Sequence, residues 1–222
     1  RCGDNLQQVQ KNHQLVLEAL GAEKFFLRLL IPHQVHGSKV VCLTSNTPEA
    51  FEQAKAEAEA GADGIVCTVK NTPVLLAFAD CVPVILVAPG GFAVAHSGWK
   101  GTIARISARA TEALCQATGA KPSEVKAYIG PHIGGADYEV SPELIQMFSQ
   151  EFGPGVVDRA SGERYLDLGY AVRAALVDAG VSASAIEEVV DSTASTTERF
   201  FSYRAEHGKC GRHAAVAYMA SK

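Results

Sequence analysis

The sequence predicts a mixed α/β domain. The middle of the chain carries apolar runs that are too short and too punctuated for helices. The segments around them show helical spacing between recognisable caps. There are also more strand-like runs than a simple alternating strand–helix series would supply. With 222 residues, 47% of them hydrophobic, the chain is long enough to bury a real core without a disulfide framework. No internal repeat, low-complexity stretch or linker divides it, so residues 1–222 are expected to form a single domain.

Residues 4–20, DNLQQVQKNHQLVLEAL, read as a helix. Leu6, Val9, His13, Val16, Leu17 and Leu20 share one face at helical spacing. Asp4 with Gln7 resembles a capping box, and Gly21 is a natural stop. FFLRLLI (25–31) and SKVVCL (38–43) read as strands joined by PHQVHG. Thr47 and Pro48 form an N-cap and first-position pair and open an alanine-rich helix that ends at Gly61. GIVCTV (64–69), VLLAFA (74–79), VPVILVA (82–88) and GFAVA (91–95) are four strands, and such continuous apolar runs are expected to be buried on both faces. A helix is predicted from about Thr102 to Thr118, closed by Gly119. VKAYIG (125–130) is a further strand, and Ser141–Pro142 starts a helix to about Phe152. Another helix runs from about Asp167 to Ala179, with Gly180 behind it. EVVDS, RFFSYR and RHAAVAYMA near the C-terminus are expected to be three strands.

Composition excludes some functions. Charged residues make up 20% and the formal net charge is −4, without the basic stripe that a nucleic-acid surface needs. No apolar run approaches the roughly 20 residues of a membrane span, and the polar start RCGDNLQQVQ is not a signal peptide. The six cysteines are scattered with no CxxC pair. They are expected to be reduced, buried thiols in a cytoplasmic protein.

Three places break the pattern of apolar strands and polar turns. In PHQVHGSKV, His33 and His36 are separated by two residues, with Pro32 and Gly37 arguing for extended chain. Odd spacing in a strand sends side chains to opposite faces, so at most one of the two faces a given site. In FADCVPV, Asp80–Cys81 interrupts an otherwise nearly continuous apolar run. Burying an aspartate there costs on the order of several kcal/mol unless it is paired. In AVAHSGWKG, His96 stands at the end of a strand and before a helix, where α/β proteins place ligands. The free N–H groups of the following helix and Lys100 favour an anion such as phosphate, and Trp99 offers a flat surface. Together these places supply one thiolate and two imidazoles. That set suits zinc with a fourth position left open, the arrangement of a catalytic site, although copper also fits the ligand types.

QVHG, ADCVPV, AVAHSGWKG, IGPHIGG…YEV and FFSYR…GRHAAVAYM occur here in the order of the laccase-domain family, and the sequence resembles that family over nearly its whole length. GDNLQQVQKNH is similar to the family's first helix. Members have been described as multicopper polyphenol oxidases and as zinc-dependent purine nucleoside enzymes with phosphorylase, methylthioadenosine phosphorylase and adenosine deaminase activities. The resemblance implies a layered sandwich of mixed sheets flanked by helices, related to a deamidase toxin with a Cys–His pair. It implies that His36, rather than His33, is a zinc ligand together with Cys81 and His96. There are departures. A glycine-rich segment that usually precedes this region is missing, so the chain is expected to lack a short N-terminal piece. Ser192–Thr193 replaces a Cys–Thr pair, Asn12–His13 an Asn–Arg pair, His132 a small residue, and Lys100 an arginine.

The function expected on this footing is a zinc-dependent purine nucleoside phosphorylase acting on adenosine, inosine, guanosine and methylthioadenosine, with adenosine deaminase activity. His36, Cys81 and His96 would be metal ligands and catalytic. Asp80 would shuttle a proton or orient a ligand, and Lys100, Arg204 and Lys39 would hold phosphate. Its partners would be small molecules, neither nucleic acid nor membrane. The alternatives are a copper-dependent polyphenol oxidase, a hydrolase with Cys81 as nucleophile and His96 as base, and a binding protein with a structural zinc.

Overall fold

Capping chemistry sets most helix boundaries. A computed structural model describes residues 4–221. It contains six α-helices: α1 (Leu6–Ala19), α2 (Pro48–Glu59), α3 (Trp99–Ile103), α4 (Ile106–Thr118), α5 (Pro142–Phe152) and α6 (Leu168–Asp178). Thr47, Ser141 and Asp167 each accept a backbone N–H from the first turn of α2, α5 and α6, which satisfies one orphan donor apiece. Gly119 ends α4 in the left-handed region at φ 76°, where glycine meets no Cβ penalty. The cap of α1 is Asn5, whose side chain accepts the Gln7 N–H at 2.9 Å, and not an Asp4–Gln7 box. Of the apolar face expected for α1, only Leu17 is buried.

The strands are β1 (Val40–Leu43), β2 (Gly64–Cys67), β3 (Val74–Phe78), β4 (Val82–Ala88), β5 (Gly91–Ser97), β6 (Lys126–Ile129), β7 (Ile186–Glu188) and β8 (His213–Ala217). Six form one mixed sheet in the order β1-β2-β5-β4-β6-β7, and β3 pairs with β8 in a second, two-stranded sheet. The β1–β2 and β6–β7 pairs are parallel, while β2–β5, β4–β5 and β4–β6 are antiparallel. The mixed α/β class is therefore the fold observed.

Both faces of the large sheet are covered, which is why its central strands read as unbroken apolar runs. Val66, Val84, Leu86, Ala93 and Ala95 face a core shared with α4 and α6. Their neighbours Ile65, Cys67, Phe92 and Val94 face a second core with α2 and the small sheet. This is the period-two alternation of a strand. In β2 and β5 neither face meets water, so there the alternation leaves no polar trace in the sequence.

Three expectations fail, each through tertiary partners. FFLRLLI is not a strand. Glu23–Arg28 forms a 3₁₀ turn, Arg28 is tied to Thr72 and Asn46, and only Leu30 bridges to β3. The helix predicted over 102–118 starts earlier and is broken. It begins at Trp99 and is interrupted at Arg105, which takes φ 56° and pairs with Glu151 and Asp178. Of the last three strands, β8 forms; EVVDS (188–192) is not a strand, since β7 lies just before it and shares only Glu188; and RFFSYR is a series of turns. There the Ser202 N–H is taken by the Glu206 carboxylate and the Arg204 N–H by Asp80, so neither is available to a ladder.

Candidate metal centre

Strand register brings the three pattern breaks together. The antiparallel pairing of β4 with β5 sets Val82 opposite Ser97 and Pro83 opposite His96. Cys81, just before β4, therefore lies beside His96 near the end of β5. His36 stands in the loop before β1, two strands from β5 in the same sheet. The donor atoms of His36, Cys81 and His96 all lie within 4.8 Å of one another. The two imidazoles meet edge to face with centroids 4.8 Å apart. Among the described residues this is the only group of three or more His, Cys, Asp or Glu side chains so placed. His36 is exposed and His96 buried, so the cluster opens to solvent on the His36 side. His33 takes no part in it; its backbone bonds Ala58 and Ala62.

The sequence reading missed Asp63, which is fully buried. Its Oδ1 lies 2.8 Å from His96 Nδ1 and also accepts the His36 N–H at 2.9 Å. Its Oδ2 accepts the N–H groups of Val35 at 3.1 Å and Gly37 at 2.7 Å. Its one sequence-level trace is an acid wedged between Ala62 and Gly64 at the mouth of a buried strand. With Nδ1 engaged, His96 keeps Nε2 for a metal. Gly98 closes the cluster from the other side. A Cβ there would stand 3.0 Å from Cys81 Sγ and 3.1 Å from His36 Cδ2.

Electrostatics suit a soft cation. Burial raises the Cys81 thiol, but hydrogen bonds and charge from His36 and His96 outweigh it and bring the pKa down to about 7. Burial lowers His96, yet its bonds to Asp63 and Cys81 lift it to about 9. Burial also raises Asp63, and here the His96 and backbone bonds win and hold it below its usual range. At neutral pH the metal-free pair is therefore about half thiolate at Cys81 beside a protonated His96, whose proton an incoming metal displaces. A site that makes thiolate readily is a fitting ligand set for zinc or another thiophilic ion.

The remaining predicted residues divide. Asp80 takes a left-handed φ of 82°. Its two oxygens accept from Thr193 Oγ1 and the Arg204 N–H, each at 2.7 Å, so it ties two distant segments to the cysteine loop. Arg204 lays its guanidinium over the Tyr138 ring at 5.0 Å and donates to the Glu139 carbonyl. Tyr138 also escaped the sequence reading. Burial pushes its phenol up to about 12, with the Cys81 charge adding to the shift. Lys100 is exposed and stands over the half-exposed Trp99 ring at 5.4 Å. Because that helix begins at Trp99, the anion site expected at a helix start after Gly101 does not exist in that form. Lys39 turns its ammonium to the Glu57 carbonyl of α2. His132 is buried. Its Nδ1 meets the Gly130 carbonyl at 2.9 Å and its Nε2 stands 3.9 Å from Glu188. The five described cysteines are free, but only Cys67 is buried, which corrects the expectation of buried thiols. Cys2 lies outside the described residues.

Residues 1–220 match the family described as multi-copper polyphenol oxidoreductase laccase. This chain belongs to that family. It is 35% identical to a protein of Deinococcus radiodurans named purine nucleoside phosphorylase, over 96% of this chain and 78% of that one. It is 32% identical to adenosine deaminase RL5 of an unknown prokaryotic organism, over 79% and 69% of the two chains. The solved structure of YlmD from Geobacillus stearothermophilus superposes with a TM-score of 0.85 at 28% identity, covering all of this chain and 83% of that one. Relatives within the family are thus named as enzymes of purine nucleosides. No helix among the described residues is long and apolar enough to cross a membrane.

Proposed function

We propose that this chain is a zinc-dependent purine nucleoside phosphorylase acting on adenosine, inosine, guanosine and methylthioadenosine, with adenosine deaminase activity. The observation that carries the reading is the cluster of His36, Cys81 and His96, open on one side and backed by Asp63. The names of the two relatives support the substrate class. A single cluster of one thiolate and two imidazoles favours one zinc over the several coppers of an oxidase. When bound, zinc supplies a Lewis acid at the open side of its three ligands.

The chain's own groups do the rest. In phosphorolysis an oxygen of phosphate forms a bond to ribose C1′, the C1′–N9 bond breaks, and the purine leaves with its bonding pair and takes up a proton. Arg204, fixed by Asp80 and Tyr138, and Lys100 hold the phosphate dianion. A guanidinium presents paired donors to two phosphate oxygens. Tyr138 stays protonated at neutral pH and keeps a hydroxyl donor on the ring that the Arg204 guanidinium covers. Asp80 acts by holding Arg204 in place, since both of its carboxylate oxygens already accept hydrogen bonds.

A second reading rests on the same geometry. Asp63, His96 and Cys81 are connected in the order of a carboxylate–imidazole–thiol triad, the arrangement of a cysteine hydrolase. Metal analysis of the pure protein, with chromatography of adenosine incubations with and without phosphate, separates the readings. The phosphorylase forms adenine and ribose 1-phosphate only with phosphate, and the deaminase forms inosine without it. A cysteine hydrolase survives chelation and dies on alkylation. Zinc content and turnover both retained in Cys81→Ala would overturn the three-ligand site.

A further inference from the structure

We infer that Asp63 is the positioning residue that sets both imidazole ligands at once, an inference that rests on the three-ligand reading above. A fully buried carboxylate is tolerated only where its oxygens are saturated by donors. Four donors converge on Asp63: the ring Nδ1 of His96 and the successive backbone N–H groups of Val35, His36 and Gly37. Three consecutive amides aimed at one anion form a nest, a concave arrangement built on a left-handed residue. That residue is His36, at φ 58°. A non-glycine residue in this region is uncommon and is held by its surroundings. Here the holder is the Asp63 carboxylate, and the residue it holds is itself a ligand.

The same side chain reaches across to β5. Its Oδ1 is shared between the His36 amide and the His96 ring, and the Asp63 carbonyl accepts the His96 backbone N–H at 2.7 Å. One carboxylate thus fixes the backbone of the exposed ligand and both the ring and the backbone of the buried one. The Asp63 N–H in turn donates to the Lys39 carbonyl at 3.0 Å, which closes the loop that carries His36. Cys81 makes no hydrogen bond to Asp63; it is placed instead by the start of β4 and by the neighbouring Asp80 anchor. Two of the three ligands share a single support.

Asp63→Asn tests this. The substitution keeps the shape and one acceptor but turns an amide NH₂ toward the N–H groups of Val35 and Gly37. Cobalt(II) titration, read by thiolate-to-cobalt charge-transfer absorption, is expected to show affinity weakened by 10–100-fold, as outer-shell substitutions at metal sites give. Hydrogen exchange of the metal-free protein is expected to speed up at the Val35 and Gly37 amides at unchanged thermal stability elsewhere. Unchanged affinity with unchanged exchange overturns the inference. Wild-type protein that takes up no cobalt overturns the metal reading instead, and exchange at Val35 and Gly37 still decides on Asp63. Should the Asn variant fail to fold, the wild-type protein is sufficient. Slow exchange at all three amides of residues 35–37, with a His96 Nδ1 proton shifted far downfield in the zinc-loaded form, supports the role, and rapid exchange with no such proton overturns it.

Discussion

Removal of the Asp80 carboxylate separates an anchor from a proton carrier. The Thr193 hydroxyl is fully buried and its donor ends on Asp80 Oδ1 at 2.7 Å, while the Arg204 N–H ends on Oδ2 at the same distance. Each bond to a charged acceptor is worth roughly 1.5–3 kcal/mol. The φ of 82° adds about 1 kcal/mol against a side chain such as alanine, which lacks the local hydrogen bonding that lets Asp and Asn visit this region. Allowing for partial relaxation, Asp80→Ala is expected to cost about 4 kcal/mol of stability. Asp80→Gly removes the backbone penalty but not the lost bonds and is expected to cost about 3 kcal/mol. Asp80→Asn keeps one acceptor and tolerates the backbone, for about 2 kcal/mol.

Urea unfolding at neutral pH measures that order, and kinetics with phosphate measure its consequence. An anchor that holds Arg204 affects phosphate binding, so the Asn variant is expected to raise KM for phosphate more than it lowers kcat. A proton carrier predicts the opposite: kcat collapses in Asp80→Asn while stability and phosphate KM stay near wild type. An Asp80→Ala variant within about 1 kcal/mol of wild type would refute the anchoring argument, since one buried and one part-buried bond to a charged acceptor are worth more than that.

Other outcomes follow from the same contacts. Gly98 has φ −75° and ψ 171°, which alanine adopts freely, so Gly98→Ala tests space alone. Its new Cβ, 3.0 Å from Cys81 Sγ and 3.1 Å from His36 Cδ2, is expected to weaken zinc binding at least tenfold with little change in melting temperature. Metal-free protein is expected to be alkylated at Cys81 with a half-maximal rate near pH 7, because the thiolate forms as pH rises through about 7. Cys67, which burial pushes to about 11, should stay unlabelled until well above that, as peptide mapping across a pH series would show. Arg204→Ala is expected to raise KM for phosphate roughly tenfold or more. Arg204→Lys should restore only part of this, since lysine lacks the planar fork that lies over Tyr138.

Sequence signals were legible where physics is local. Thr47–Pro48, Ser141–Pro142 and Asp167 cap helices through atoms two or three residues away, so the cap is written beside the helix it starts. The central strands of the large sheet were legible for the converse reason: burial on both faces leaves an unbroken apolar run. His96 and Cys81 were visible as polar interruptions of such runs. What was not legible depends on distant partners. FFLRLLI has the composition of a strand, but a strand needs an edge to pair with, and Arg28 is drawn to Thr72 and Asn46 instead. RFFSYR alternates well enough, yet Asp80, more than a hundred residues earlier, takes its Arg204 N–H. Asp63 is the clearest case. Its donors come from residues 35–37 and 96, and its only local mark is an acid between Ala62 and Gly64, which reads as an ordinary turn residue. The ligands of such a centre are visible because their chemistry is unusual for their surroundings. Their supports are ordinary residues in ordinary turns, and only folding reveals that one buried carboxylate holds two of the three ligands. The sequence therefore discloses which groups can do chemistry more readily than it discloses what keeps them in place.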